Sequence, residues 1–160
     1  MQRLGKAVDR TRAHTDVSIL EFFLDSSEKA LLSQVRWAKE NLGVTYELYM
    51  NLLSIEQARF CNWVQGKATL TVGQRGTLAE VGMLQLHLLS VYGFNLDKVR
   101  TMCEYVVPDA VSSSFHAPPW TGTSINKYLL RHGKEGIKTI RDWFQALRFA
   151  DPSWTCQRCP

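Results

Sequence analysis

Apolar residues recur along the chain every three or four positions, which is the spacing of one face of an α-helix. In residues 26–42 this stripe has four members, Leu31, Val35, Ala38 and Leu42. In residues 77–92 it has five, Leu78, Val81, Leu84, Leu88 and Val91. The alternating β-branched runs that are typical of strands are missing. The pattern therefore predicts an all-α protein.

Capping residues, glycines and prolines divide the pattern into helices. The predicted helices cover residues 16–24, 26–42, 44–53, 55–66, 77–92, 96–107, 124–133 and 134–149. Gly43 has the position of a C-terminal glycine, and Thr45 that of an N-cap. The last helix carries an apolar stripe of Ile137, Ile140, Phe144 and Leu147.

The breaks between helices are predicted from the same signals. Ser54 with Gln57, and Thr77 with Glu80, have the spacing of capping boxes, so each pair is expected to open a helix. Two glycines weaken helix in residues 70–76, which we therefore interpret as a connection. Residues 108–123 have the composition of a loop. A glycine at position 82 is expected to let another helix approach closely.

The length of 160 residues leaves room for one domain or for two small helical ones. No apolar run approaches the roughly 20 residues of a membrane span, and the N-terminus lacks the apolar core of a secretory signal. The net charge of +4 is concentrated in residues 29–67, with five basic and three acidic residues, and in residues 127–160, with seven and three. These two segments are the places to look for a partner.

The cysteines favour neither a disulfide framework nor a metal centre. Cys61 and Cys103 lie in helical patterns and are expected to be small buried apolar groups. Cys156 and Cys159 form a C-x-x-C, but a zinc site normally needs four ligands and no second pair is present, so a tail with reducible thiols is favoured. We expect a cytoplasmic protein without a cofactor. Paired carboxylates and a phosphate-binding glycine loop are also missing, so no enzymatic activity is expected.

Residues 44–66 fit a helix-turn-helix, because two helical patterns meet at a tight connection, Leu53-Ser54. Ile55, Phe60 and Trp63 can fasten the second helix to its neighbours. Its remaining surface offers Gln57, Arg59 and Asn62, followed by Gln65 and Lys67. Gln and Asn can pair with adenine, and Arg with guanine or a phosphate. By spacing alone these residues are either a solvated helix face or a DNA contact.

Several segments together resemble the Xre/MbcA/ParS-like antitoxin family. Residues 54–67 (SIEQARFCNWVQGK) resemble the recognition helix of Xre/Cro-type regulators, including the Trp-x-x-Gly-basic ending. Residues 67–78 (KATLTVGQRGTL), the long helix after them and Tyr92-Gly93 are similar to the family, as are residues 122–133 (GTSINKYLLRHG) and 136–144 (GIKTIRDWF). The resemblance covers residues 28–148.

The resemblance implies an antitoxin that represses its own operon. Operator DNA would be bound by a homodimer, and the DNA-contacting set would be Thr45, Gln57, Ala58, Arg59, Asn62, Gln65 and Lys67. The cognate toxin, commonly a RES-domain enzyme that consumes NAD, would be held by the C-terminal region. The toxin-contacting set is expected to be Arg131, Lys134, Lys138, Arg141 and Trp154. A shared solvated surface remains the alternative for these basic residues.

The predicted architecture is a helix-turn-helix domain followed by a small helical domain. Its parts are an N-terminal extension (1–25), the helix-turn-helix domain with its long linking helix (26–93), the toxin-binding domain (94–150) and a tail (151–160). Two other functions stay open: a stand-alone transcriptional regulator without a toxin, and a helical interaction protein that no longer reads DNA.

Overall fold

The computed structural model describes residues 15–109 and 117–150. This part of the chain forms seven helices: α1 (Thr15–Leu24), α2 (Glu28–Leu42), α3 (Tyr46–Leu53), α4 (Gln57–Val64), α5 (Val72–Val91), α6 (Leu96–Glu104) and α7 (Ile125–Ala150). It contains no strand, so the prediction of an all-α fold is confirmed. Trp154, Cys156 and Cys159 lie outside the described residues.

Local signals placed the ends of α2 and the start of α3 correctly. The Ser27 hydroxyl accepts a hydrogen bond from the backbone N–H of Ala30, and Gly43 ends α2 in the left-handed conformation, at φ 67°. The Thr45 hydroxyl accepts from the N–H of Leu48 and so caps α3. These bonds satisfy donors that a helix terminus leaves unpaired.

Helix α5 begins earlier than predicted, and residues 70–76 are not a connection throughout. Thr71 and Gln74 form a complete capping box, so the helix starts at Val72. Thr77 lies buried inside it and donates its hydroxyl to the Gly73 carbonyl, so the predicted box of Thr77 with Glu80 is wrong. The two capping bonds offset the weak helix propensity of the glycines.

The buried side chains form one continuous cluster around α5, from Ile19 in α1 to Phe144 in α7. Helix α5 packs against α1, α2, α3, α6 and α7, while α3 also packs against α7. The cluster includes side chains on both sides of residue 93, where the sequence predicts a domain boundary. The division into two domains stays a prediction. At Gly82 of α5 an added Cβ would lie 2.7 Å from Gln34 Oε1, so the glycine permits the expected close approach of α2.

Helix α6 is shorter than predicted, because it ends at Glu104 and the chain then becomes extended. Val107 donates its N–H to the Thr123 carbonyl and accepts from the N–H of Gly122. The first bond uses the N–H that a helix extending to residue 107 would have paired internally, and the second satisfies the Val107 carbonyl.

The C-terminal element α7 is interrupted at Gly133, where φ 58° and ψ −136° are not helical. Two helical segments therefore meet at this residue, as the sequence predicted. The predicted stripe of the second segment, Ile137, Ile140, Phe144 and Leu147, is buried. Beside it, the Trp120 and Phe144 rings stack at 5.7 Å between centroids, and Trp143 packs edge-on against both. None of the helices in the described ranges combines the length and apolarity that crossing a bilayer requires.

Candidate nucleic-acid interface

The turn between α3 and α4 is tight and adopts an unusual backbone conformation. Ser54 ends α3 at φ 50°, in the left-handed region, and its N–H donates to the Asn51 carbonyl. Ile55 follows with its N–H bonded to the Met50 carbonyl and its side chain buried. Two short helices are thus joined by a tight turn, and their identification as a helix-turn-helix stays a prediction.

The predicted capping box of Ser54 and Gln57 is wrong. Ser54 belongs to the end of α3, and Glu56 occupies the N-cap position of α4 without a side-chain capping bond. Gln57 is then the first residue of α4 rather than its third. Its side chain is exposed at the helix start, where recognition helices contact base edges.

Two aromatic residues fasten α4 to the rest of the protein, as predicted. Phe60 and Trp63 are each 1% exposed, with their ring centroids 5.7 Å apart. The Phe60 ring also meets Tyr46 of α3 edge-on at 5.3 Å. These contacts set which face of α4 points inward and leave its other face uncovered.

The uncovered face of α4 and the residues after it hold the predicted DNA-contacting side chains together. Gln57, Ala58, Arg59, Asn62, Gln65 and Lys67 are all exposed. Cys61 is exposed among them, so the prediction that this thiol is buried is wrong, whereas Cys103 is buried as expected. The face thus offers amide, guanidinium and thiol groups to a partner. Thr45 is exposed too, but its hydroxyl already caps α3.

The C-terminus of α4 closes in a Schellman motif. The N–H of Lys67 donates to the Asn62 carbonyl at 2.7 Å, and the N–H of Gly66 donates to the Trp63 carbonyl. Gly66 has φ 75°, a conformation that glycine adopts without strain. The motif turns the chain sharply and places the exposed Lys67 beside the end of the helix.

Arg36 of α2 is a residue at this interface that sequence reasoning missed. Its guanidinium donates to the Val64 carbonyl at 2.7 Å, where the helix dipole is negative. The bond therefore fastens the end of α4 to α2. The Arg36 side chain is exposed, as are those of Arg59 and Lys67. The two partners are 28 positions apart, and no local pattern signals such a bond.

The predicted toxin-contacting residues are placed less uniformly. Arg131, Lys134 and Lys138 are exposed, whereas Arg141 is half-buried. Lys138 forms an ion pair with Asp142, with 2.8 Å between Nζ and Oδ2. Their hydrogen bond raises the pKa of Lys138 and lowers the pKa of Asp142. The number of unpaired positive charges on this surface is consequently smaller than the number of basic residues in the sequence indicates.

Arg141 borders a groove of about 730 Å³ between α5 and α7, with α1 at its rim. The lining includes four apolar side chains, Leu20, Met83, Leu86 and Phe94. The sequence did not reveal this groove, because it depends on how three helices distant along the chain pack together.

Within the two described ranges, no three His, Cys, Asp or Glu side chains lie close enough together to hold a metal ion. Two glutamines of α5 donate hydrogen bonds to residues of α3. Gln85 donates to the Tyr49 hydroxyl at 3.1 Å in the core, and Gln74 donates to the Leu53 carbonyl at the end of α3.

No protein family, curated protein or solved structure matches the chain at a significant level. The resemblance to Xre/MbcA/ParS-like antitoxins therefore stays a prediction from the motifs in the sequence.

Proposed function

We propose that this protein is an antitoxin that binds operator DNA through α4 and a cognate toxin through its C-terminal region. The observation that supports DNA binding best is the division of α4 into two faces. Phe60 and Trp63 hold its inner face, while Gln57, Arg59 and Asn62 stand exposed on the other. A helix that is packed through one face and leaves a polar face uncovered can enter the major groove of DNA.

The basic residues around α4 supply the second requirement, attraction to phosphates. Arg36 and Lys67 lie at the C-terminal end of α4, and both are exposed. Cations at the end of a recognition helix can contact the DNA backbone and fix the register of the helix in the groove. In this proposal Arg59 reads a base, and Arg36 and Lys67 hold the backbone.

The toxin-binding part of the proposal depends on the family resemblance and on the exposed cations of α7. Arg131 and Lys134 lie on either side of the break at Gly133. They can meet an acidic surface on a toxin, and a RES-domain enzyme is the class that the resemblance implies. The proposed protein acts in the cytoplasm as a homodimer.

Replacing Arg59 by alanine is expected to weaken operator binding by about 1–3 kcal/mol, because one bidentate base contact is lost. The measurement is fluorescence anisotropy with the promoter fragment of the protein's own operon, at fixed salt concentration. Lys98→Ala is the matched control, since it removes one exposed positive charge from α6. Equal affinities of the Arg59 variant and the wild type would contradict the assignment of α4 as the recognition helix.

A charge reversal at the break in α7 tests whether this surface binds the toxin. Arg131→Glu with Lys134→Glu is expected to abolish growth rescue when the protein is produced together with the product of an adjacent RES-type gene. Lys127→Glu is the control, because Lys127 is exposed on the first segment of the same element. Full rescue by the double variant would contradict this surface. Failure of the wild type to rescue or co-purify, with operator binding retained, would favour a stand-alone regulator.

Truncation is less suitable than substitution for separating the two activities. The residues after Gly122 supply core side chains, including Ile125, Ile140 and Phe144, each at most 1% exposed. Removing them would expose the apolar faces of α3 and α5, against which α7 packs. A shortened chain would lose its stability together with its toxin contacts.

A further inference from the structure

The groove between α5 and α7 carries an apolar surface that remains uncovered in the single chain. Leu20 is 45% exposed and Met83 is 41% exposed, and both side chains line this groove. Leu24 is 57% exposed and lies one turn after Leu20, so the two leucines form a stripe along α1. Contiguous exposed apolar side chains of this kind mark interaction sites.

The charges around this surface fall into two complementary sets. On α1, Glu21 is exposed next to the leucine stripe. In the groove, Arg141 is half-buried and forms no ion pair with any acidic residue that the structure describes. Asp142 also lines the groove, but its carboxylate is held by Lys138. The α1 face is thus apolar with one exposed carboxylate, and the groove is apolar with the Arg141 guanidinium and the Asp142 carboxylate that Lys138 pairs with.

One chain therefore carries both halves of a self-complementary surface. In a two-fold dimer each surface patch meets its own copy, so a patch with both halves satisfies itself. The α1 stripe of one copy can cover the groove of the other, and the reverse contact follows from the symmetry. An unrelated partner would have to match both the stripe and the groove separately.

We propose that the occupant of this groove is α1 of a second copy of this chain. Leu20 and Leu24 of each copy cover the apolar lining of the other groove, and Glu21 pairs with Arg141 across the interface. This inference rests on the proposed homodimer and specifies its surface. It assigns Arg141 to the contact between copies, and it gives α1 a function in dimer formation.

The test is the dimer dissociation constant of the full chain, measured by sedimentation equilibrium over a wide range of protein concentrations. Leu20→Glu is expected to raise this constant about tenfold or more, because it places a charge in the apolar contact. Val106→Glu is the matched control, since Val106 is 50% exposed and does not line the groove. Thermal unfolding of each variant checks that the fold is retained.

Charge reversal separates this surface from any other dimer contact. Glu21→Arg and Arg141→Glu are each expected to weaken the dimer, and the double variant to recover most of the wild-type affinity. A dimer unaffected by Leu20→Glu and by both reversals would overturn the surface while leaving the homodimer intact. A monomeric wild type would overturn both. Operator binding, measured separately, decides whether the proposed recognition helix stands in either case.

Discussion

Replacing Phe144 by alanine is expected to lower the free energy of unfolding by about 3–5 kcal/mol. The ring is 1% exposed, stacks on Trp120 and meets Trp143 at 4.9 Å. Its removal would leave a cavity where α7 joins the core, and the rigid indoles around it can fill that space only in part. A loss of this size is a large share of the 5–15 kcal/mol that usually stabilises a folded domain. Urea unfolding followed by circular dichroism measures it.

Val72→Ala is the control for this substitution, since Val72 is 76% exposed and its truncation should change the stability by no more than about 0.5 kcal/mol. A loss below about 1 kcal/mol for the Phe144 variant would contradict the packing of α7 described above. It would show that the aromatic cluster around Trp120 is not part of the core in solution.

The protein is expected to lose stability steeply in alkaline solution, because three buried acidic groups have raised pKa values. Burial raises the pKa of the Cys103 thiol from 9.0 to about 12. Burial also raises the pKa of the Tyr49 and Tyr92 hydroxyls well above 10.0, partly opposed at Tyr49 by its hydrogen bond with Gln85. In each case the folded protein disfavours the ionised form, so the unfolded chain loses its proton first.

The sign and the pH range of this effect follow from proton linkage. The contribution of each group to the free energy of unfolding is complete at a pH below its ordinary pKa. It is lost as the pH rises through the pKa that the group has in the folded protein. For Cys103 this range extends from about pH 9 to 12. The difference between its pKa values in the unfolded and the folded chain corresponds to a free energy on the order of 4 kcal/mol. Urea unfolding midpoints between neutral pH and pH 11 measure the decline.

Cys103→Ala provides the control for the alkaline effect, since this variant lacks the thiol that ionises first. The free energy of unfolding of this variant is expected to fall less steeply between pH 9 and pH 11 than that of the wild type, whatever its value at neutral pH. A stability that does not change with pH over this range would contradict the burial of all three groups.

Much of the fold follows from local patterns in the sequence. The stripe of Ile137, Ile140 and Phe144 depends on helical periodicity alone, and each member is buried as predicted. Gly43 and Thr45 act within one turn of their own helices. The exposed face of α4 was predictable for the same reason, since burial of Phe60 and Trp63 leaves the opposite side to solvent.

The remaining features depend on contacts between distant parts of the chain. Thr71 with Gln74 and Thr77 with Glu80 have the same spacing, so a local rule cannot choose between them. The structure selects the first pair, because Gln74 also bonds to the Leu53 carbonyl and Leu70 bonds to Glu28. The bond from Arg36 to Val64 and the groove beside Arg141 likewise join segments that are far apart in sequence.

Because the core is continuous from Ile19 to Phe144, a ligand bound at one end of the protein can stabilise the other end. A chain that unfolds as one cooperative unit gains stability from any ligand that binds only its folded state. Under the proposed function, operator DNA at α4 would therefore protect α7 from unfolding and proteolysis, and a toxin bound at α7 would protect α4. The lifetime of such a protein in the cell would then report whether its partners are present, without any change in its shape.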